Sequence, residues 1–348
     1  MKLLVTGAGG FLGRYVVAEA LRRGHAVRAM VRGSSEGLAG LDHPALELVK
    51  ADLRSRRGLT DAVSGVDAVL HLAAAKSGDL YAQYAGTVVA TENLMAAMTE
   101  ANVRRIVLIS SFSVYDYLKA KSFSVLDENS PIEKDAFDRD EYAHTKLVQE
   151  RLVREHASAA GWGFTILRPG VIYGRNNLFT ARIGVNAGRF WLRIAGFARL
   201  PLTYVENCAE AIVLAAERDA ALGQTLNVVD DDMPTQRKYA AMARARLSPK
   251  PLIVPMPFAI IWFLAGMGVV TNRLLFRGRA KIPGIFVPAR LAARCKPLRF
   301  SNQKIKQVLG WKSRYAMGEA LDRSVSDKRI EATPPTKERS PAPAEVAA

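Results

Sequence analysis

The sequence predicts an α/β protein with a doubly wound parallel sheet and a smaller C-terminal substrate-binding region. Three observations carry that prediction. The chain opens on a short apolar strand, Leu3-Leu4-Val5, which runs into a glycine turn and a helix over residues 11–23. Strand-like and helix-like segments then alternate at the spacing of crossover units. The segment 104–110 contains a continuous apolar run, IVLI, of the type buried on both faces of a parallel sheet. At 348 residues the chain is long enough for one large core.

The first turn carries Gly7, Gly10 and Gly13 in the spacing G-x-x-G-x-x-G. Gly7 allows a sharp turn, Gly10 lets backbone N–H groups approach a pyrophosphate, and Gly13 lets the helix pack against the strand. Phosphates would sit at the positive end of the helix dipole. Gly7, Gly10, Phe11, Leu12 and Gly13 are therefore candidate contacts of a dinucleotide, with a purely structural turn as the other reading. The expected architecture is thus of the Rossmann type.

Residues 24–31 read as the second strand. NAD-selective sites place an acidic residue at its end, to bond the ribose hydroxyls. Here Val31 and Arg32 stand there. A guanidinium would pair with a 2′-phosphate, so NADP(H) is favoured over NAD(H). Arg32 as an exposed loop cation is the other reading. Residues 47–51 form a third strand, followed by Asp52 and Leu53. Asp52 is a candidate acceptor for the adenine amino group or an N-cap of the next helix. A fourth strand, 66–72, leads to Ala73, Ala74 and Ala75, small enough for a cofactor to lie against the backbone. Helices are expected over 80–102, then the fifth strand.

Hydroxyl-bearing residues cluster after that strand, in Ser110-Ser111-Phe112-Ser113-Val114-Tyr115. Ligands bind at this carboxyl edge in open α/β sheets. Further on, Tyr142 and Lys146 share a helix face at i and i+4. An ammonium beside a phenol is expected to lower its pKa toward working pH. The tyrosinate could then take a proton from a substrate hydroxyl while hydride leaves to nicotinamide, and a serine could hold the oxygen.

Five segments resemble the extended short-chain dehydrogenase/reductase superfamily, in its NAD-dependent epimerase/dehydratase and 3β-hydroxysteroid-dehydrogenase-like branch. They are TGAGGFLG at 6–13, HLAA at 71–74, SSFSVY at 110–115, YAHTK at 142–146 and LRPGVIYG at 167–174. The resemblance covers about residues 1–230. It implies that Ser111, Tyr142 and Lys146 form the catalytic triad, that Lys146 also binds the nicotinamide ribose, and that Pro169 meets the cofactor. Ser111 is chosen over Ser110 because the family serine stands just before x-x-V-Y. It implies a dinucleotide-binding domain over 1–175 and a substrate-binding region over 176–326, with some strands returning to the sheet. A homodimer is a further implication. Departures include Thr87 and Ala90, where the family has Asn and Gly, and Asp116 in place of glycine. The segment Val205-Glu206-Asn207 is closer to the steroid-dehydrogenase-like members. The AMVR segment at 29–32 is similar to plant dihydroflavonol reductases, which use NADPH.

Charge is unevenly placed. The chain has 49 basic and 33 acidic residues, yet residues 233–318 hold no Asp or Glu and 17 Lys or Arg. A second acid-free run, 174–205, carries Arg175, Arg182, Arg189, Arg193 and Arg199, candidates to clamp a diphosphate. This pattern fits a small anionic or lipidic substrate, or an anionic membrane surface, or a solvated basic face. No nucleic acid is expected, because no nucleic-acid-binding motif accompanies the charge. Cys208 and Cys295 are far apart, which fits a reducing compartment and no metal pair. The N-terminus has no secretory pattern, so the expected location is cytoplasmic, with peripheral contact on the inner face of a membrane.

Residues 251–272 are 22 uncharged positions flanked by Lys250 and Arg273. Prolines at 251, 255 and 257 leave 258–270 as the apolar helical core. Interfacial helix, soluble lid and membrane span are the readings it allows. Arg273, Arg277, Arg279 and Lys281 follow. His71, His144, Trp162 and Trp191 are read as structural or surface residues. Residues 302–311 form a short helix capped by Gly310, and the fold closes near Ser326. Residues 327–348 are expected to be a disordered tail. The expected function is that of an oxidoreductase or epimerase moving hydride between nicotinamide C4 and a secondary alcohol or ketone carbon of a nucleotide-sugar. The alternatives are the same chemistry on a steroid- or isoprenoid-like alcohol at a membrane, and cofactor sensing without chemistry.

Overall fold

A computed structural model describes residues 1–134, 136, 140–179, 183–194, 196–256, 258–277 and 287–326. Arg182, Arg279, Lys281 and the expected tail lie outside the described residues. The first half gives β1 (Lys2–Thr6), α1 (Gly13–Arg22), β2 (Ala26–Val31), β3 (Leu46–Lys50), α2 (Leu59–Val63), β4 (Ala68–His71), α3 (Leu80–Tyr84), α4 (Ala90–Glu100) and β5 (Arg105–Ile109). Then come β6 (Val125–Leu126), α5 (Glu141–Ala160), β7 (Gly163–Pro169), β8 (Val171–Tyr173), β9 (Val185–Ala187), β10 (Phe190–Arg193) and β11 (Leu202–Tyr204). The chain continues through α6 (Val205–Glu217), β12 (Thr225–Val228), α7 (Gln236–Arg246), β13 (Leu252–Pro255), α8 (Phe258–Phe276) and α9 (Pro288–Cys295). It ends in β14 (Arg299–Phe300), α10 (Gln303–Leu309) and α11 (Met317–Val325).

Seven parallel strands make the central sheet, in the order β12-β7-β5-β4-β1-β2-β3. It is the expected Rossmann-like architecture. The apolar β1, β4 and β5 are wholly buried at their centres, because helices cover both faces. One face packs α1 and α6, with Val16, Ala20, Ile212 and Val213 in its core. The other packs α2, α4 and α5 through Leu59, Leu94, Met98 and Val153. Strand order reverses direction between β1 and β4, so their carboxyl ends open a crevice.

The structure adds detail to two expectations. The helices expected over 80–102 are α3 and α4, joined by a π-helical turn, Ala85–Val89. That turn aims Thr87 at the loop after β4, where its Oγ1 accepts from the Ala75 amide at 3.1 Å. The apolar stretch 251–272 divides at its prolines, with the helix starting at 258 as expected and a strand before it that was not. Its start is β13, paired in parallel with β10, and α8 begins at Phe258. Pro255 fits the extended backbone of β13 and would interrupt a helix there. Among the described residues no helix is long and apolar enough to cross a membrane. The short C-terminal helix is α10, closed by Gly310 at φ +65°.

Candidate active site

A cleft of about 1110 Å³ lies over the β1–β4 crevice. Gly7, Gly10, Phe11, Leu12, Gly13, Arg32, Asp52, Leu53, Ala73, Ala74, Ser111, Tyr142, Lys146 and Pro169 all line it. At 1110 Å³ it exceeds the range of roughly 300–1,000 Å³ common for single small ligands. The glycine turn is steric in origin. Gly7 sits at φ +69°, which a side chain disfavours. A Cβ on Gly13 would lie 2.1 Å from the Gly7 carbonyl oxygen and 2.7 Å from that of Ala8. No side chain caps the start of α1. The amides of Arg14, Tyr15 and Val16 are taken by the Gly10 and Leu12 carbonyls, which leaves those of Phe11, Leu12 and Gly13 to meet a ligand.

At one end of the cleft Arg54 grips Asp52, with Nη2–Oδ2 at 2.6 Å and Nε contacts at 3.0 and 3.1 Å. These bonds hold the Asp52 carboxyl down at about 2. Asp52 is not an N-cap: α2 starts later, after Gly58. Arg32 is exposed on the cleft wall and makes no hydrogen bond or salt bridge among the described residues.

The other end is built by α5 and β5. Asp140 caps α5, accepting from the Ala143 amide at 2.7 Å. Tyr142 and Lys146 then sit one turn apart. Ser111 follows β5 in extended conformation and its Oγ accepts from the Ser113 amide at 3.1 Å. The Tyr142 phenol shares a hydrogen bond with Ser111. Ser110 turns elsewhere and donates to Glu150 Oε1 at 2.5 Å.

The expected lowering of the tyrosine pKa is overturned in this geometry. Burial pushes the phenol up to about 12, against the smaller opposing effect of its bond to Ser111. The Lys146 ammonium does not bond the phenol; it donates to the Ile109 carbonyl at 2.7 Å and to Gln149 Oε1 at 2.8 Å. Burial, reinforced by the charge of Lys76, brings Lys146 itself down to about 7. Desolvation outweighs the charge–charge effect for both groups.

Beneath them lies a buried polar floor. His71 Nδ1 meets Thr6 Oγ1 at 2.8 Å and His71 Nε2 meets Thr91 Oγ1 at 2.9 Å. Thr91 donates to the Thr87 carbonyl at 2.6 Å, and Gln149 Nε2 donates to Thr91 at 2.8 Å. Thr91 gives its hydrogen to Thr87, and Thr6 can give its own to Nδ1, which puts the ring proton of His71 on Nε2, toward Thr91. Gln149 Nε2, 3.2 Å from that nitrogen, then meets a donor there and not an acceptor. Burial drives the His71 pKa down to about 3, so the ring is neutral. Deeper still, Arg168 clasps Glu150 in bidentate fashion at 2.8 and 2.7 Å, and both are buried.

Sequence reasoning missed Arg54, Lys76 and Gln149. Gln149 was detectable at i+3 from Lys146, but its role depends on partners from β4 and α4. His71 is structural as expected, His144 is partly exposed, and Trp162 and Trp191 are core residues. The four described arginines of the 174–205 run do not line the cleft. Arg199 bonds the Met233 carbonyl at 3.2 Å and Arg189 covers the Phe190 ring at 4.9 Å.

Residues 3–228 match the family model of the NAD dependent epimerase/dehydratase family. Across 329 residues the chain is 27% identical to the 4-hydroxy-2-methyl-3-oxo-4-farnesyl-3,4-dihydroquinoline-1-oxide ketoreductase of Stigmatella aurantiaca, covering 92% of this chain and 95% of that one. It is 30% identical over 346 residues to a 3 beta-hydroxysteroid dehydrogenase/Delta 5-->4-isomerase of Mycobacterium tuberculosis, covering 92% and 88%. The fold resembles that of a UDP-glucuronic acid 4-epimerase from Bacillus cereus in complex with NAD, at a TM-score of 0.72 and 17% identity, covering 93% and 97%. The chain therefore belongs to the NAD dependent epimerase/dehydratase family and is an enzyme of the extended short-chain dehydrogenase/reductase superfamily.

Proposed function

We propose that this enzyme prefers NADP(H) and moves hydride between nicotinamide C4 and a secondary alcohol or ketone carbon of a hydrophobic, sterol- or isoprenoid-like substrate. The observation that carries the reading is the convergence of Ser111, Tyr142 and Lys146 on the cleft that also holds the Gly7–Gly13 turn. The glycine cradle and the uncapped start of α1 fit a diphosphate. Arg32, exposed and in no salt bridge among the described residues, suits a 2′-phosphate, and the nearby Asp52 is already engaged by Arg54. The nicotinamide, when bound, supplies or accepts the hydride. Ser111 orients the substrate oxygen, and Tyr142 gives or takes its proton. Lys146, fixed by Ile109 and Gln149, keeps a third N–H for a ribose hydroxyl.

Two observations favour a hydrophobic substrate. The described arginines expected to clamp a diphosphate stand off the cleft. Curated relatives matched over nine-tenths of this chain carry farnesyl-quinoline and steroid names. Such a substrate is met at an anionic membrane surface, on its inner face. A nucleotide-sugar is the second reading, favoured by the fold's likeness to UDP-sugar epimerases.

Tyr142→Phe tests the chemistry. Turnover of NADPH with a panel of sterol and isoprenoid ketones should fall by about 10²–10⁴-fold, while NADPH binding by fluorescence titration stays unchanged. Full turnover in this variant would remove Tyr142 from the reaction. Turnover confined to UDP-sugars would select the second reading.

A further inference from the structure

The most anomalous surface on the molecule is the outer side of α8. One stripe of this helix, Ile261, Ala265 and Asn272, faces the protein, and Ile261 and Ala265 pack with Ile194 and Leu291. The spacing i, i+4, i+11 is a single helix face. Apart from Thr271 and Arg273, the remaining described side chains are apolar and largely open to solvent: Phe263 is 66% exposed, Leu274 76% and Leu275 73%, beside Ile260, Met267 and Val270. A helix this apolar on its outer face is ordinarily covered by protein or in lipid. Here it is neither covered by the described protein nor long and apolar enough to cross a bilayer.

Its charge surroundings narrow the partner. Exposed Arg273 and Arg277 close the helix, and no Asp or Glu occurs between residues 233 and 318. An apolar face edged by arginines and free of acids complements an anionic lipid surface. A protein partner's apolar patch would supply no matching negative field by itself.

The helix is also wired to the catalytic end of the cleft. α9 packs against α8. Arg290 of α9 lies 3.9 Å from Asp140 and 3.9 Å from Glu141, the cap and first residue of the helix that carries Tyr142. What docks on α8 therefore docks beside the start of α5.

Building on the hydrophobic-substrate reading, we infer that α8 is a membrane-docking helix: it lies in the headgroup plane of an anionic monolayer, inserts Trp262, Phe263, Leu274 and Leu275, and sets Arg273 and Arg277 against lipid phosphates. Bound there, the protein presents the catalytic end of its cleft toward molecules dissolved in the bilayer.

Trp262 provides the probe. It is 49% exposed, whereas Trp162, Trp191 and Trp311 are buried. The full-length protein would be mixed with phosphatidylglycerol-containing vesicles and with pure phosphatidylcholine vesicles, at low and high salt, and assayed by flotation and by bromolipid quenching of tryptophan. Wild type should float with the anionic vesicles, stay partly bound at high salt, and show quenched fluorescence. The triple variant Phe263→Ser/Leu274→Ser/Leu275→Ser should lose at least about tenfold of the bound fraction while keeping its melting temperature and NADPH affinity. Absence of wild-type binding to anionic vesicles, or equal binding by the triple variant, overturns the proposal. So does a wild-type dimer that the triple variant splits without any vesicle binding, since α8 would then be a self-association face. The substrate reading fails separately: vesicle binding intact, but turnover of detergent-dispersed lipid alcohols absent, would sink the substrate class and leave the docking helix standing.

Discussion

Beneath the cleft, polar side chains are buried and paired: Glu150 with Arg168 and Ser110, Gln149 with Lys146 and Thr91, His71 with Thr6. On α8 the arrangement is inverted, with apolar side chains exposed and uncovered by the described protein. Both regions break the rule of apolar inside and polar outside, in opposite directions, and they do so for different reasons. The floor is largely complete in itself: each of these side chains meets at least one partner that offsets its desolvation, although the buried Arg168 Nη1 finds no acceptor among the described residues. The outer face of α8 is satisfied only when something apolar arrives. The contrast separates residues whose loss damages the fold from residues whose loss damages an encounter.

That distinction can be broken by measurement. Glu150→Ala should give the largest stability loss, about 3–5 kcal/mol by denaturant unfolding, because it strands a buried guanidinium. A loss below about 1 kcal/mol would mean the floor relaxes around Arg168 and is not a self-sufficient network. Lys146 gives a smaller, pH-dependent effect. Its folded pKa of about 7 lies below the unfolded value of 10.5. The folded state therefore sheds a proton that the unfolded chain keeps between those values, so stability rises with pH across the window, by up to about 1.4 kcal/mol per unit. Lys146→Met should lack this rise; an unchanged slope would place the titration elsewhere. On α8, Leu274→Ser and Leu275→Ser should each change stability by no more than about 0.5 kcal/mol in the absence of vesicles. A large loss would show that these leucines hold the fold together.

How much was readable beforehand follows the same divide. The glycine turn, the residues after β5 and the pair Tyr142–Lys146 are local patterns, and the structure gathers all of them on one cleft. A motif of three to eight residues fixes its own backbone and the direction of one helix face. Partnerships across the chain left no such trace. Glu150 and Arg168 lie 18 positions apart, and Gln149 and His71 lie 78 apart. Their meeting depends on how α5 crosses the sheet. The depressed pKa expected for Tyr142 failed for a related reason: spacing reveals that a lysine is near, but not that both groups are desolvated and that the ammonium faces Ile109 and Gln149. The apolar stretch 251–272 was visible as an anomaly, yet its division between β13 and α8 depends on pairing with β10, about 60 positions earlier.

The neutral imidazole under Lys146 has one more consequence. A ring whose pKa is about 3 takes up no proton at any ordinary pH, and its threonine neighbours do not ionise there. The floor thus adds no net charge beneath the Lys146 ammonium, which meets only neutral oxygens there, the Ile109 carbonyl and the Gln149 amide.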